Sequence, residues 1–280
     1  MKIDGLKATI KDTNRMVPIS LTPIRKIPDF PVVLMTSCVI IADGDAVLRA
    51  PEKRIHHTLE AIEHWIELAP DLPIVICDGS NFDFSPLLAE RFPGHAFECL
   101  FFQNNAELVK KQGKGYGEGE IIAYALEHSR LLQTSSYFIK CTAKLWVENI
   151  QACLRSSIAR QCPFQAKAHF KHVFSLFKKT TLDFIDTRFY FCEKNFYHTY
   201  FSSAYRLVGL SDQRSIEHVF RDIILEKELP EVLLAINPVI CGVGGGHGSY
   251  YKNNLKRRLK DRLRLLVVRM TTRFQFLFPN

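Results

Sequence analysis

The chain has 280 residues, 47% of them hydrophobic and 24% charged, which is typical of a globular protein that can bury a sizeable core. Its apolar runs fall short of the roughly 18 residues that a membrane-spanning helix needs. The first thirty residues lack the apolar segment of a secretory signal, so we expect a cytoplasmic protein.

The net charge of +8 is concentrated near the C-terminus. Between Lys252 and Arg273 there are nine basic residues and one acid, Asp261, whereas the rest of the chain has 28 basic and 28 acidic residues. A neutral body with a basic end indicates docking to an anionic surface and says nothing about the fold.

The eight cysteines are scattered along the chain without a CxxC pair. Because several fall in apolar, strand-like runs, we interpret them as buried free thiols in a reducing cytoplasm. Their spacing also argues against a zinc site.

In the first half, apolar runs alternate with segments of helical periodicity, which predicts an α/β fold with a mostly parallel sheet flanked by helices. After an irregular lead-in over residues 1–30, the predicted strands are Val32–Ile41, Pro73–Cys77, Ala96–Phe102 and Tyr137–Val147. Helices are predicted from Pro51 onward, over Ser85–Arg91 and over Glu118–Leu132, with a loop at Gln103–Gly117.

The second half is less regular. Its predicted elements are strand-like runs at Gln165–Phe177, Asp186–Cys192 and Val232–Ile240, an amphipathic helix at Ser215–Glu226 and a Gly-rich loop at 241–249. No repeat or linker interrupts the sequence, so we expect one domain over residues 1–251, followed by a basic amphipathic helix over 252–280.

The tripeptide Asp78-Gly79-Ser80 ends a buried strand. In open α/β sheets, ligands bind at the carboxyl ends of the strands, where a carboxylate can accept hydrogen bonds from a base or a ribose. Asp-Gly is also ordinary turn chemistry, so a purely structural turn is the alternative.

A second Gly-rich segment, Lys114-Gly115-Tyr116-Gly117-Glu118-Gly119-Glu120, begins before a predicted helix. Glycine lets the backbone approach a ligand, and a helix start offers unpaired N–H groups. The two glutamates also complement the helix dipole, which is their structural alternative. The segment matches neither the Walker A nor the GxGxxG pattern, which argues against a P-loop NTPase and an NAD enzyme.

The order strand, DGS turn, strand, Gly-rich segment, helix, strand over residues 32–147 resembles the nucleotide-sugar half of GT-A glycosyltransferases. In that family the last of these strands usually ends in an acidic pair that holds a divalent metal, whereas this chain has Lys140-Cys141-Thr142-Ala143-Lys144. That segment is similar to a bacterial set of surface-polysaccharide transferases with a Lys-x-(Thr/Ser)-x-(Lys/Arg) strand. The resemblance implies a nucleotide-binding half over 1–150, an acceptor half over 151–251, and no metal or other cofactor.

The resemblance also implies roles for individual residues. Lys144 would stabilise the charge that develops on the leaving diphosphate, in place of a metal. An arginine fork suits the same anion, although a solvated helix face is the alternative for Arg54. The nucleotide and its diphosphate would be bound by Thr36, Arg54, Asp78, Ser80, Lys114, Gly115, Glu118, Lys144, His247 and Ser249.

For the acceptor, Glu217 lies where inverting enzymes of this kind place the base that deprotonates a hydroxyl, with Asp186 as a substitute. A first-turn helix acid that complements the dipole is the alternative for Glu217. Arg188 and His218 would contact the acceptor.

The C-terminal segment carries an apolar stripe with basic residues elsewhere, as interfacial helices do. The stripe consists of Leu255, Leu259, Leu263, Leu266 and Met270. The alternatives are a helix packed on the core and an RNA-binding tail, which a leucine stripe disfavours.

These features suggest a glycosyltransferase that moves a sugar from a nucleotide-sugar donor to a hydroxyl of a growing bacterial surface glycan, such as capsule, lipopolysaccharide or O-antigen. The reaction would be inverting and metal-independent. The protein would bind a lipid-linked or oligosaccharide acceptor at the inner face of the cell membrane, through 252–280, and no nucleic acid. Another α/β transferase, for example one using S-adenosylmethionine, and a non-catalytic membrane-docked binding module remain open.

Overall fold

The computed structural model describes residues 31–41, 47–209, 214–245 and 248–279. The predicted lead-in over 1–30 lies outside these residues. The strands are β1 (Val32–Ser37), β2 (Ile74–Asp78), β3 (Phe97–Phe101), β4 (Tyr137–Thr142), β5 (Leu145–Val147), β6 (Phe164–Lys171), β7 (Thr181–Glu193), β8 (Ile240–Val243) and β9 (Tyr250–Tyr251). The helices are α1 (Pro51–Leu68), α2 (Ser85–Arg91), α3 (Ala106–Gln112), α4 (Lys114–His128), α5 (Arg130–Thr134), α6 (Ile150–Arg160), α7 (Lys194–Tyr200), α8 (Ile216–Glu226) and α9 (Leu255–Thr271).

A six-stranded sheet with the order β3-β2-β1-β4-β7-β6 forms the centre of the molecule. Its first four strands are parallel, while β7 and β6 are antiparallel to their neighbours. Every residue of β1 and β2 is buried, as expected for parallel strands that are covered on both faces. The predicted α/β class with a mostly parallel sheet is therefore confirmed.

Two layers of helices cover the sheet. Because strand side chains alternate between faces, Leu34 packs with α4 and α8 on one side, and Met35 packs with α1 and α6 on the other. Helix α1 begins at Pro51, a residue that suits the first helical position, and buries Trp65, whose indole N–H donates to the Leu145 carbonyl at 3.1 Å.

The order in which strands are added to the sheet reverses between β1 and β4. From β1 the chain builds outward to β2 and β3, and it then crosses back to add β4 on the other side of β1. Such a topological switch point leaves a crevice at the carboxyl ends of the two central strands, where ligands of open α/β sheets bind.

The predicted strand Tyr137–Val147 is divided in two. Strand β4 ends at Thr142, and after a turn at Ala143 and Lys144 the chain leaves the main sheet as β5. Strand β5 pairs with β8 in a three-stranded sheet of order β5-β8-β9. Lys144 therefore lies between the two sheets.

Two further predictions differ from the structure. The expected loop at Gln103–Gly117 contains α3, and α4 begins at Lys114 instead of Glu118. The segment Val232–Ile240 is buried at its start but forms no strand before Ile240, where β8 begins, because its first residues hydrogen-bond to two different parts of the chain. Val232 accepts from Ala166, and Leu233 donates to Leu277.

Helix α9 lies over β6 and has two different sides. Val268 is fully buried, and Lys167 Nζ of β6 forms an ion pair with Asp261 Oδ2 at 2.7 Å. The predicted apolar stripe faces away from the body, and all five of its side chains are more than half exposed. Within the described residues, no helix is both long and apolar enough to cross a membrane.

Candidate functional site

The switch point gathers polar side chains at the carboxyl ends of three neighbouring strands. Thr36 pairs in register with Thr142 of β4, and Ser37 pairs with Asp78 of β2. All four residues are at strand ends along one edge of the sheet, so the sequence-predicted Thr36 and Asp78 belong to one site.

Asp78 and Ser80 fix the backbone that follows β1. The fully buried Asp78 carboxylate accepts from Val39 N–H at 3.0 Å and from the Ser80 hydroxyl at 2.6 Å. The Ser80 oxygen in turn accepts from the backbone N–H groups of Val39 and Ile40, both at 2.9 Å. These bonds shape the crevice, and a direct contact of either residue with a base or ribose stays a prediction.

A buried ion pair joins α4 to the main sheet. Lys140 has no exposed surface, and its ammonium group donates to Glu118, to Thr142 Oγ1 at 3.2 Å and to the Thr187 carbonyl at 2.7 Å. Thr36 also donates to Glu118, at 3.0 Å. We call these five residues the Lys140 network.

The charge of Glu118 is maintained by this network. Burial would raise the pKa of the carboxyl, but Lys140 and the hydrogen bonds overcome it and hold the pKa below its ordinary value. Sequence reasoning gave Glu118 a binding role and gave Lys140 none. A lysine in the middle of a buried strand was the available signal, because such a residue must have a partner.

Two more cations lie at the same edge, and we call Arg54, Lys144 and the overlying Gly245 the Lys144 pocket. Arg54, from the first turn of α1, is 6% exposed and donates to the carbonyls of Cys38 at 2.7 Å and Leu48 at 2.9 Å. Lys144 is 3% exposed. A Cβ atom built on Gly245 would be 3.1 Å from Lys144 Cε and 3.7 Å from Arg54 Nη1, so the Gly-rich backbone passes directly over both side chains.

The two cations are incompletely neutralised. In the part of the chain that the structure describes, Lys144 makes no side-chain hydrogen bond or ion pair, whereas Lys140 makes three bonds. Burial, and then repulsion from Arg54, lower the pKa of Lys144 to about 7. Burial also lowers the pKa of Arg54. Such a pocket is electrostatically suited to an anion with several oxygens, which would supply the missing partner.

The donors at the end of β4 do not fit a divalent metal ion. Hard cations are bound by carboxylate and carbonyl oxygens, and here the strand ends at Thr142 and is followed by Ala143 and Lys144. The nearby carboxylates of Asp78 and Glu118 are already hydrogen-bonded to the protein.

A possible metal-ligand cluster lies further along α1. Among the described residues, His56, His57 and Glu60 offer ligand atoms within 4.8 Å of one another. His57 Nδ1 is 2.9 Å from a Glu60 oxygen, and Tyr250 donates to the other Glu60 oxygen at 3.3 Å, so this carboxylate also has protein partners.

Asp186 forms a closed ion pair with Arg188 on β7. Asp186 is 1% exposed, and Arg188 donates to both of its oxygens through Nε and Nη2. Burial would raise the pKa of Asp186, but Arg188 and His169 hold it far below its ordinary range. The Arg188 guanidinium also stacks on Tyr251, 4.9 Å from the ring centre. This geometry favours a structural role for Asp186 over that of a base.

Glu217 lies at the start of α8, next to the start of α4. The contact is made by Ile216, whose Cβ would be 3.0 Å from a Cβ atom built on Gly115. Glu217 is half-buried and makes no hydrogen bond or ion pair within the described ranges. His218, in contrast, caps its own helix by accepting from Ser215 N–H at 3.3 Å, so the carboxylate is the more available group.

The glycines of α4 have a packing function. A Cβ atom on Gly119 would be 2.1 Å from Tyr205 Cβ, and one on Gly117 would be 2.9 Å from Asn104. Close helix packing explains these residues without a ligand. Lys114 is exposed at the first position of α4, after Gly113, which has a positive φ of 94°.

The other predicted Gly-rich loop is described only in part. His247 lies outside the described residues. Ser249 is exposed, and its carbonyl accepts from Gly244 N–H at 3.0 Å, which closes the loop beside Gly245. A contact of either residue with phosphate stays a prediction.

Comparison with known proteins finds solved structures that resemble this chain with low sequence identity and low TM-scores. No protein-family model matches the chain, and no curated protein matches it. One similar solved structure is mouse xyloside xylosyltransferase 1, with 12% identity, a TM-score of 0.44, and coverage of 74% of this chain and 85% of that one. Another is the inositol-1-phosphate CTP transferase from T. maritima, with 10% identity, a TM-score of 0.46, and coverage of 85% and 96%.

A third is a glycosyltransferase involved in the glycosylation of the major capsid of PBCV-1, with 10% identity, a TM-score of 0.38, and coverage of 72% and 80%. Since the TM-scores are below 0.5 and the identities are at most 12%, the function of this chain has to be argued from its own residues.

Proposed function

We propose that the protein is a glycosyltransferase that uses a nucleotide-sugar donor and needs no divalent metal. One observation carries the proposal: the buried cations Arg54 and Lys144 meet at the carboxyl edge of the switch point, beneath the backbone of Gly245. A diphosphate carries the negative charge that this pair of cations lacks, and its oxygens would pair with both side chains.

The proposed reaction is a direct displacement. The acceptor hydroxyl oxygen attacks the anomeric carbon of the sugar, and the bond from that carbon to the diphosphate oxygen breaks with its electron pair on oxygen. Glu217 takes the hydroxyl proton, and the configuration at the anomeric carbon is inverted. A positioned base contributes about 10²- to 10⁴-fold in rate.

The Lys144 pocket would act on the leaving group. Negative charge grows on the diphosphate as the bond breaks, and cations fixed beforehand in a water-poor crevice stabilise that charge without reorganising. The low pKa of Lys144 is compatible with this role, because an incoming anion favours the protonated form and raises the pKa again.

The acceptor is proposed to be a lipid-linked or oligosaccharide end of a growing bacterial surface glycan, reached from the cytoplasmic side of the membrane. The basic segment supports this placement, because the sequence has nine basic residues between Lys252 and Arg273 and the apolar stripe of α9 is exposed. Each basic residue near an anionic membrane contributes about 1 kcal/mol to binding.

The test is a thermal-shift screen of the full chain with a panel of nucleotides and nucleotide sugars, with and without EDTA. We expect a nucleoside diphosphate or its sugar to raise the melting temperature equally in both conditions. No shift with any member of the panel would overturn the proposal, and so would a shift with S-adenosylmethionine alone. A shift that requires Mn²⁺ would overturn only the metal-independent part.

The catalytic step is tested with the donor that the screen identifies. Glu217→Gln should lower the turnover of that donor by about 10²-fold or more and leave its binding unchanged. Glu226→Gln, at the exposed end of the same helix, is the matched control. Equal activity of both variants would assign the base elsewhere, and a chain that binds the donor without turning it over would be a binding module.

A further inference from the structure

The loop between β6 and β7, residues 172–180, exposes large apolar side chains. Leu176 is 94% exposed and Phe177 is 96% exposed, the highest values for large apolar side chains among the described residues. Phe174, in the same loop, is 53% exposed. Isolated apolar residues are common on protein surfaces, but adjacent ones at the tip of a hairpin indicate an interaction site.

The loop has a defined shape. Ser175 N–H donates to the His172 carbonyl at 3.1 Å, and the Ser175 hydroxyl accepts from Phe177 N–H at 3.3 Å and Lys178 N–H at 3.0 Å. Val173 packs against the core and anchors the loop at its base. The tip therefore presents Leu176 and Phe177 from a hydrogen-bonded turn.

The charge around the tip has one sign. Residues 171–180 include Lys171, Lys178 and Lys179 and no acid. Lys171 is neutralised by Asp183 at 2.7 Å, whereas Lys178 and Lys179 are exposed and have no ion pair with any described residue. Apolar side chains beside uncompensated lysines are the combination that binds the surface of an anionic bilayer.

The loop is joined to α9 through a single strand. Strand β6 contacts α9 through Lys167 and Asp261, and Phe170 packs on Phe274, with 5.6 Å between ring centres. An extended chain covers at most about 3.6 Å per residue, so Leu176 is within about 22 Å of Phe170. Two apolar, basic elements are thus attached to the same edge strand of the main sheet.

We propose that the 172–180 loop is a second membrane-docking element, which inserts Leu176 and Phe177 into an anionic bilayer while α9 lies on its surface. Two linked contacts bind far more tightly than either alone, because the second contact forms at a high effective concentration. The proposal rests on the membrane placement given above and is independent of the sugar chemistry.

The first test measures sedimentation of the full chain with vesicles of phosphatidylcholine containing about 30% phosphatidylglycerol, at low salt, because the attraction is screened as salt rises. Leu176→Ser/Phe177→Ser should weaken the partition coefficient about tenfold or more. Ile158→Ser/Leu207→Ser removes two other exposed apolar side chains and should change nothing. Lys178→Gln/Lys179→Gln should weaken binding to these vesicles severalfold and leave any binding to pure phosphatidylcholine vesicles unchanged.

The second test reports insertion directly. The native Trp65 and Trp146 are buried, so a tryptophan placed by Phe177→Trp gives a separable signal. Its emission should shift to the blue when the anionic vesicles are added. An unshifted emission on vesicles that bind the chain, or an unchanged partition coefficient of the double serine variant, would overturn the proposal.

Two other outcomes would also overturn it. One is a wild-type chain that does not bind the vesicles at all. The other is a self-association in sedimentation velocity that the double serine variant loses while vesicle binding stays intact, because the loop would then be a protein interface. Neither outcome affects the nucleotide screen, which contains no membrane, so failure of this proposal and failure of the proposed function are distinguishable.

Discussion

The Lys140 network and the Lys144 pocket lie at the same edge of the sheet, and each contains a buried lysine. The two lysines differ in whether they have a hydrogen-bonding partner in the described part of the chain. Lys140 donates to three groups, including the carboxylate of Glu118. Lys144, only four residues later, faces another cation and has no such partner among the described residues. Removing one partner of a buried ion pair destabilises the fold, whereas a buried cation without a partner can bind an anionic ligand.

We expect the largest effect on stability from a substitution that breaks the Lys140 network. Lys140→Met should lower the free energy of unfolding by about 3 kcal/mol, because it leaves the Glu118 carboxylate without its cation. Urea unfolding of the ligand-free chain measures the change. Lys140→Met/Glu118→Gln should recover much of the loss, and the exposed Lys171→Met should cost less than about 1 kcal/mol. A Lys140→Met variant as stable as the native chain would contradict the structural role assigned to Lys140.

In the Lys144 pocket, replacing the lysine with methionine should have the opposite effect on stability. Lys144→Met removes a desolvated cation that lies beside Arg54, so the ligand-free chain should become about 1 kcal/mol more stable. Binding of the nucleoside diphosphate should weaken by about 2 kcal/mol, or roughly 30-fold. Calorimetry measures the binding, with Lys53→Met on the exposed side of α1 as the control. A destabilised variant with unchanged binding would place Lys144 among the structural residues.

The pH dependence should distinguish the two regions further. The pKa of Lys144 in the folded state, about 7, is below its ordinary value of 10.5, so the unfolded chain binds more protons between these values. Stability from this group should therefore rise as the pH increases from about 7 to 10.5, while diphosphate affinity falls by up to about tenfold per pH unit.

Above about pH 9 a neighbouring thiol changes stability with the opposite sign, so the binding measurement is the decisive one. Burial raises the pKa of the adjacent Cys38 thiol above its ordinary value. Lys144→Arg should remove the pH dependence of binding, because arginine stays charged throughout. A native chain whose diphosphate affinity is constant from pH 6 to pH 9 would contradict the assigned role of Lys144.

We expect the smallest effect from a substitution of Gly245, whose backbone covers the Lys144 pocket. Gly245→Ala brings a methyl group to about 3 Å from Lys144 Cε, and the flexible lysine must give way, so diphosphate binding should weaken about threefold and stability should change by less than about 1 kcal/mol. In the Lys144→Met background the substitution should have no further effect on binding, which a double-mutant cycle measures. Additive effects would show that Gly245 does not act through the lysine.

The strands of the main sheet were predicted from the sequence, whereas the break that positions Lys144 was not. Strands β1 to β4 were found from continuous apolar runs, which are typical of parallel strands buried on both faces. The break between β4 and β5 carries neither glycine nor proline, so no local signal marked it. It depends on Leu145–Val147 pairing with β8, a contact that joins residues nearly a hundred positions apart.

Local sequence patterns do not reveal contacts that depend on distant parts of the chain. The Gly-rich segment around Glu118 was interpreted as a ligand-binding segment. In the structure Gly115 lets α4 approach Ile216 and Gly119 lets it approach Tyr205, while a contact of Gly115 with a ligand stays a prediction. The role of Lys140 depends on Glu118, 22 residues away, which no periodicity reveals. Residues at strand ends were easier to assign to the crevice, because the edge where ligands bind follows from the direction of parallel strands alone.

The strand order has a consequence for how the chain folds. Strands β6 and β7 are joined by a loop of nine residues, whereas Val32 of β1 pairs with Phe138 of β4 across roughly a hundred residues. Because the entropy cost of closing a loop grows with its length, we expect the β6–β7 hairpin to form early and the β1–β4 pairing late. The crevice would then be completed in the last steps of folding, by a chain whose other parts are already in place.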